Sequence, residues 1–436
     1  MSKESLFRLS FFIFCLKFAV FYDTMSLLVI LGGKIMKKHG VAILGFGVVG
    51  GGVADLLTNN REEIKNYLGC EVEIKRILDL RDFPNSPFAS LVTHSFDDIL
   101  ADDSVDTVME MMGGSHPAYE YTVAALKAGK NVITSNKEVV ASFGDEFVTI
   151  AKEMGVSYRF EAAVGGGIPV INPLLGCVRQ NKIREVRGIL NGTTNYILTK
   201  MFTYGDSFEN ALKDAQAKGY AEANPDADVL GTDACRKITI LTALASDKLF
   251  DVKTVHTEGI TGIRKADVIA AEKLGYKIKL LGRCILDGGE FVMVCPFLLP
   301  SDSPLSTVSG VYNAVEVVAE PLGNVMFYGQ GAGAGATASA VIGDLFPIIA
   351  YGNANPIVPG FNRVDYPASS SFDSFKSKKY VALPSGYEDK VREIFGEVEF
   401  IESDECSFIT KCESEYDTDK ALEAIGVAPL SKIRFL

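Results

Sequence analysis

Asp233 and Lys237 stand four residues apart in Gly231–Ala245, a stretch whose apolar spacing predicts a helix, so the two share a face. A lysine amine hands over a proton near neutral pH once burial or a neighbouring cation lowers its pKa. Lys137, at the carboxyl end of a predicted strand, is a candidate for that cation. Glu222 comes before the pair, across the Pro- and Asp-containing loop Ala223–Asp228, and its carboxylate suits an ammonium group. On spacing alone, Asp233 and Lys237 read first as a helix-surface ion pair worth ~0.3–0.5 kcal/mol. Arg236 falls on another face of that helix and reads as structural, and Asp226 and Asp228 read as loop carboxylates.

A second feature is made of backbone. In Gly45-Phe46-Gly47-Val48-Val49-Gly50, Gly45 permits a tight turn and Gly47 removes a side chain where a pyrophosphate must approach. Gly50 lets the following helix pack close to the preceding strand, and the helix N-terminus offers N–H groups to phosphates. The end of the next strand reads Ile77-Leu78-Asp79-Leu80-Arg81-Asp82. An acid there suits the ribose hydroxyls of NAD, and an arginine suits the 2′-phosphate of NADP. Asp79 falls within the strand pattern and Arg81 where the loop begins, which favours NADP(H). NAD(H), and Arg81 as a plain surface charge, stay open.

These residues need elements to hold them. Val41–Leu44, Val72–Leu80, Thr107–Met112, Asn131–Ser135 and Ser157–Ala162 read as strands. Val48–Thr58, Phe96–Leu100, Tyr119–Ala128 and Phe147–Met154 read as the helices between them. That alternation predicts a parallel, Rossmann-type α/β sheet over 36–165. Residues 166–361 read as a mixed α+β domain. Its strands are Glu185–Leu190, Lys279–Leu286 and Phe291–Leu298, and its helices include Asn195–Phe202, Phe208–Lys218 and the lysine helix. Residues 362–378 are polar and Ser-rich and read as a linker. Residues 379–436 parse as strand, helix, strand, strand, helix, strand: a small α+β module. Residues 1–35 read as an extension outside the fold, because Met36 directly precedes the first strand and is a plausible initiator.

Several motifs together resemble homoserine dehydrogenases. They are Gly113-Gly114, Thr134-Ser135-Asn136-Lys137, Glu161-Ala-Ala-Val164-Gly-Gly166-Gly-Ile168-Pro169, Asn191-Gly-Thr193-Thr-Asn195, Gly219-Tyr220-Ala-Glu222, Tyr328-Gly-Gln-Gly331-Ala-Gly333 and Thr337-Ala-Ser-Ala-Val341. The likeness runs from about Met36 to Asp344. It implies reversible NAD(P)-dependent conversion of L-aspartate 4-semialdehyde to L-homoserine, on the way to threonine, methionine and isoleucine. It also implies a Rossmann domain with a catalytic and dimerisation region, residues 328–352 packing back near the cofactor, and a homodimer or homotetramer.

The resemblance further implies site roles. Lys237 is the acid/base, Lys137 lies in the active site and at the cofactor, and Glu222, Asp233, Asp228 and Thr193 bind substrate. Gly45, Phe46, Gly47, Val48, Val49, Gly50, Arg81, Gly113, Ser135 and Gly333 hold the cofactor. Backbone carbonyls of Glu161, Val164, Gly166 and Ile168 hold a monovalent cation, sodium or potassium. The last module resembles an ACT domain in length and element order, but Leu383-Pro-Ser-Gly-Tyr387 stands where an Asp-x-Pro-Gly turn is common. Threonine sensing and a purely structural or dimerising role are therefore both open for it.

Composition narrows the alternatives. A net charge of −12 argues against non-specific nucleic-acid binding. Eight cysteines without a CxxC pair read as reduced, cytoplasmic thiols. His39, His94, His116 and His256 show no metal-ligand spacing. Arg8, Lys17 and Asp23 interrupt the apolar run 6–33, leaving less than the ~18 residues a membrane span needs. An acyl-phosphate-forming semialdehyde dehydrogenase would need a cysteine beside a base, and Cys177 and Cys235 have no such neighbour in sequence.

Overall fold

A computed structural model describes residues 38–352, 360–365 and 371–436, so the extension 1–35 and parts of the Ser-rich linker lie outside it. Near-continuous apolar runs make the first sheet. Val41 to Leu44 are fully buried, as a strand covered on both faces requires. Six parallel strands run in the order Val92–Thr93, Glu71–Leu78, Lys38–Leu44, Thr107–Glu110, Asn131–Thr134, Tyr158–Arg159. The chain reverses its direction of build between Lys38–Leu44 and Thr107–Glu110, where such sheets open a crevice at their carboxyl ends.

Several boundaries differ from the sequence expectation: the first strand already begins at Lys38 and the third ends at Glu110 rather than Met112, and three others have a visible cause. The second strand stops at Leu78, so Asp79 is the first loop residue; its carboxylate turns back to accept the Phe46 and Arg81 N–H groups, which ends the strand. The fourth helix starts at Lys137, ten residues before Phe147, because Asn136 caps it by accepting the Glu138 N–H at 3.1 Å. Lys137 therefore opens a helix rather than ending a strand. The last strand is only Tyr158–Arg159, since Glu161–Ala163 coils into a 3-10 turn.

The second sheet is where long-range pairing overrides the local pattern. It runs Gly323–Gln330, Tyr312–Glu320, Lys182–Ile189, Tyr276–Ile285, Phe291–Pro300, Ser431–Phe435, Lys379–Leu383, Cys406–Ile409, Glu399–Ile401, with His256–Thr257 also paired to Phe291–Pro300. Residues 379–436 show the expected strands and helices in order, with a two-residue strand, Glu413–Ser414, added before the second helix. They are not a separate sheet, however: Ser431–Phe435 pairs in parallel with Phe291–Pro300 at Phe297 and Leu298.

The described part of 362–378 is also docked rather than free. Asn362–Arg363 pairs with Lys248–Leu249, Arg363 bonds Asp145, and Phe375 is buried among Phe297, Leu299 and Met293. Among the described residues, one stretch, Ala334–Tyr351, is long and apolar enough to cross a membrane. Here its first helix, Ala334–Gly343, packs on Val48–Asn59, burying Ala338 and Val341 beside Val53 and Ala54.

Candidate active site

The glycine loop is shaped by close approach. Gly45 has φ 86° and donates to the Leu78 carbonyl at 2.8 Å. A Cβ at Gly50 would fall 2.0 Å from the Gly45 carbonyl oxygen, so only glycine lets Val48–Asn59 start there. Gly47 and Val48 at the helix start are exposed, Val49 is half-buried, and the Phe46 ring is held edge-on by Phe83 and Phe88. Gly333 precedes Ala334–Gly343, whose Ala334 carbonyl lies 3.1 Å from where a Gly52 Cβ would be. Ala334 thus meets the helix that the glycine loop opens.

Asp79 and Arg81, weighed as alternatives in the sequence, are bound to each other. Arg81 donates from Nε and Nη2 to the two Asp79 oxygens at 2.9 and 3.0 Å, and its guanidinium lies over the Phe83 ring. Those bonds hold the Asp79 carboxyl down at about 2, against a partial burial that raises it.

Below the crevice, Glu110 is fully buried at the end of its strand. It accepts hydrogen bonds from the Thr134 hydroxyl and the Met112 N–H. Burial pushes its carboxyl up to about 7, against those bonds. Glu110 thus ties the loops that carry Gly113, which is exposed, and Ser135, which is half-buried. This role was not legible in the sequence, where Glu110 falls inside the expected strand Thr107–Met112 and nothing local marks its carboxylate as buried.

The lysine helix, Thr232–Ser246, presents its charged pair inward. Asp233 and Lys237 are 6% and 8% exposed, which removes the surface-pair reading. Lys237 Nζ donates to the Leu190 carbonyl at 2.7 Å and lies 2.9 Å from Asp233 Oδ2. Lys137 Nζ lies 3.1 Å from Asp233 Oδ1. Lys137 is therefore not a bare cation against Lys237: the Asp233 carboxylate stands between the two amines. Burial alone would raise the Asp233 carboxyl; the two lysines and Asn191 outweigh it and hold it well below the usual range.

Asn191 organises the rest. Its amide donates to Asp228 Oδ1 at 2.7 Å and Asp233 Oδ2 at 2.9 Å, while its oxygen caps the helix Gly192–Tyr204 by accepting the Thr194 N–H. Burial raises the Asp228 carboxyl, and the Asp233 charge adds to it against the Asn191 bond. Thr193 donates to the Tyr220 carbonyl at 2.6 Å, which anchors the turn leading to Glu222. The Glu222 side chain is exposed and has no hydrogen bond or ion pair among the described residues. Arg236, expected on another face, pairs with Glu138 at 3.0 Å and so clamps the lysine helix to the helix that Lys137 opens. The sequence singled out the motif around Asn191 but not its central amide, because Asp228 and Asp233 lie 37 and 42 residues away.

In the loop 161–169, the Glu161 side chain is buried and accepts the N–H groups of Val170, Ile171 and Asn172. The Gly165 carbonyl takes the Ile168 N–H, whereas those of Val164, Gly166 and Ile168 accept no hydrogen bond among the described residues. Asp344 braces the loop by accepting the Glu161 N–H at 2.8 Å, and burial pushes its carboxyl up to about 7. Elsewhere, His256, Glu258 and Cys295 come within ligand distance of one another, but Glu258 is already filled by Arg434.

This arrangement has relatives. The homoserine dehydrogenase family profile matches residues 169–346, and the homoserine dehydrogenase NAD-binding domain profile matches 45–161. The homoserine dehydrogenase of Neisseria gonorrhoeae is 42% identical over 317 residues, 72% of this chain and 73% of the relative. The crystal structure of a homoserine dehydrogenase from Thiobacillus denitrificans superposes with a TM-score of 0.84 at 34% identity, covering 92% of this chain and 99% of that one. A hyperthermophilic archaeal homoserine dehydrogenase mutant in complex with NADPH superposes with a TM-score of 0.61 at 27% identity, over 71% and 97% of the two chains.

Proposed function

This chain belongs to the homoserine dehydrogenase family, and we propose that Lys237 is its proton donor, with Lys137 beside it, and that its nucleotide is NADP(H). The enzyme interconverts L-aspartate 4-semialdehyde and L-homoserine with a nicotinamide cofactor. When bound, the cofactor supplies the hydride that the aldehyde carbon takes up. The chain's own task is to hold the substrate and give its carbonyl oxygen a proton.

One observation carries the assignment: a buried carboxylate, Asp233, fixed between the amines of Lys237 and Lys137. A protonated lysine has three N–H donors. Lys237 spends two on Leu190 and Asp233, which leaves one for a carbonyl oxygen. Lys137 spends one and is half exposed, so it can meet substrate and cofactor together. Asp228 and Thr193 line the substrate side, and the free Glu222 carboxylate suits the substrate ammonium. Gly45, Phe46, Gly47, Val48, Val49 and Gly50 would hold the pyrophosphate, with Gly113, Ser135 and Gly333 completing the cleft.

NADP(H) is favoured because Asp79 already accepts from Phe46 and Arg81, while the Arg81 guanidinium is fixed and outward. The NADPH complex of the archaeal relative supports the same nucleotide. The unshared carbonyls of Val164, Gly166 and Ile168 suit, with that of Glu161, a monovalent cation that orders the loop. The exposed Tyr312, Met326 and Tyr328 on one sheet edge suit a homodimer or homotetramer. We read 379–436 as a structural extension of the catalytic sheet, and inhibition of the intact enzyme by threonine would overturn that.

Two variants test the central assignment. Lys237→Ala should lower turnover by ~10²–10⁴-fold while cofactor binding persists. Glu222→Ala should instead raise the homoserine KM. Near-normal turnover in folded Lys237→Ala would pass the proton to Lys137 or water.

A further inference from the structure

Arg434, in the strand Ser431–Phe435, is fully buried and divides its guanidinium between two carboxylates. It donates to Glu415 in its own module at 2.9 and 2.8 Å, and to Glu258 in the catalytic region at 2.7 and 2.8 Å. Glu415 also pairs with Lys379 and Lys432, so it would keep two cations if Arg434 were lost. Among the described residues Glu258 has only His256 besides, 2.7 Å away. The His256 ring stacks on Phe372 with centroids 3.4 Å apart, and the Arg434 guanidinium lies 4.8 Å from the same ring. The module thus grips the segment His256–Glu258 from one side.

The other side of that segment bears on the lysine helix. A Cβ at Gly259 would fall 2.0 Å from the Val229 carbonyl oxygen and 2.6 Å from the Leu230 Cα. Ile260 donates to Val229 at 2.8 Å. Gly231, the N-cap with φ 87°, lies so that an added Cβ would be 3.1 Å from Thr257 Cγ2 and 3.3 Å from the Glu258 carbonyl oxygen. Asp233 follows two residues later, and Asp228 in the same turn is tied to it through Asn191. At Gly259 backbone rests on backbone, with no flexible side chain to absorb a shift, and at Gly231 the stiff, β-branched Thr257 and Val294 lie closest.

We propose that Arg434 is a positioning residue for proton transfer. By holding Glu258 it seats His256–Gly259 against the turn Asp228–Gly231, and so sets where the helix places Asp233 and Lys237. The proposal rests on Lys237 as proton donor.

The test compares Arg434→Met, Glu258→Gln and Lys432→Met in the full chain, reading kcat, homoserine KM, cofactor dissociation constant and Tm. Lys432 pairs with Glu415 and Asp419 but not with Glu258, so its variant reports a loss confined to the module. The expected result is a fall in kcat of tenfold or more for Arg434→Met and Glu258→Gln. Cofactor affinity should stay within twofold, and Lys432→Met should keep kcat within twofold. If all three keep kcat within twofold while Lys237→Ala loses it, the positioning role fails and the proton assignment stands. If Arg434→Met and Glu258→Gln both fail to fold, the contact determines the fold and the proposal is overturned. If Lys237→Ala itself keeps normal turnover, it is the proton assignment that has failed.

Discussion

The glycine loop and the lysine pocket solve opposite problems. The loop at Gly45–Gly50 is built from backbone and stays open, with Gly47 and Val48 exposed. Its specificity lies in where side chains are missing. The pocket around Asp233 is built from charges and is closed, with Lys237, Asp233 and Asn191 all buried. Its specificity lies in every charge having a partner. A cradle of N–H groups tolerates neighbours that change, provided the glycines remain. A buried charge set fails when one member goes, because the others are left unpaired in a medium that penalises them.

The largest expected effect falls on the charged side. Asp233→Ala leaves two lysines facing each other and should destabilise the protein by about 3–5 kcal/mol, read from urea unfolding, with homoserine oxidation abolished. A loss below about 1 kcal/mol would show that water compensates the amines and would erase the contrast. Next comes the backbone side. Gly50→Ala forces a Cβ onto the Gly45 carbonyl and should cost about 1–3 kcal/mol while weakening cofactor binding, measured by titration. Unchanged cofactor affinity would show that the turn has slack.

Smaller still is Arg81→Ala. Losing a charge-assisted hydrogen bond to the 2′-phosphate should raise the NADP KM about tenfold with the NAD KM little changed. Equal shifts for both nucleotides would remove Arg81 from the 2′-phosphate.

The last effect concerns a third kind of burial and is read as a slope with pH. Lys279 sits under the catalytic sheet, donating to Asn195 at 2.9 Å and the Val308 carbonyl at 2.6 Å, and burial pushes its amine down to about 7, with nearby Lys277 adding to it. Folding therefore works against protonation of this group. The penalty is absent above pH 10.5, grows as pH falls from there to about 7, and is constant below. Lys279→Met should flatten that part of the stability–pH curve, measured by denaturant midpoints between pH 7 and 10. A slope unchanged in the variant would assign the dependence to other groups.

What could be read in the sequence was what is local. The alternation of strand and helix, the glycine spacing and the i, i+4 pair of Asp233 and Lys237 are encoded within a few residues of one another. The Asp79–Arg81 bond was hidden because each residue alone suggests a different nucleotide. Gly323–Gln330 was missed as a strand, since it leads into a Gly/Ala-rich run and its side chains are half or fully exposed. Asn191 could not be placed because its partners come from a different helix and turn. The docking of Asn362–Arg363 and the joining of residues 379–436 to the catalytic sheet depend on contacts more than a hundred residues apart, which no local pattern announces.

The merged sheet bears on how the polypeptide is made. Ser431–Phe435 lies between Phe291–Pro300 and Lys379–Leu383, so it is an interior strand supplied late in synthesis. Until it is synthesised, Phe291–Pro300, an almost wholly apolar strand, presents an open edge at Phe297 and Leu298, His256–Thr257 covering Met293 and Val294. The nucleotide-binding half also waits, but only for Ala334–Gly343, which closes its core against Val53 and Ala54. A nascent chain halted between that helix and Ser431 would thus carry a finished nucleotide-binding half joined to an adhesive edge, a natural substrate for chaperones.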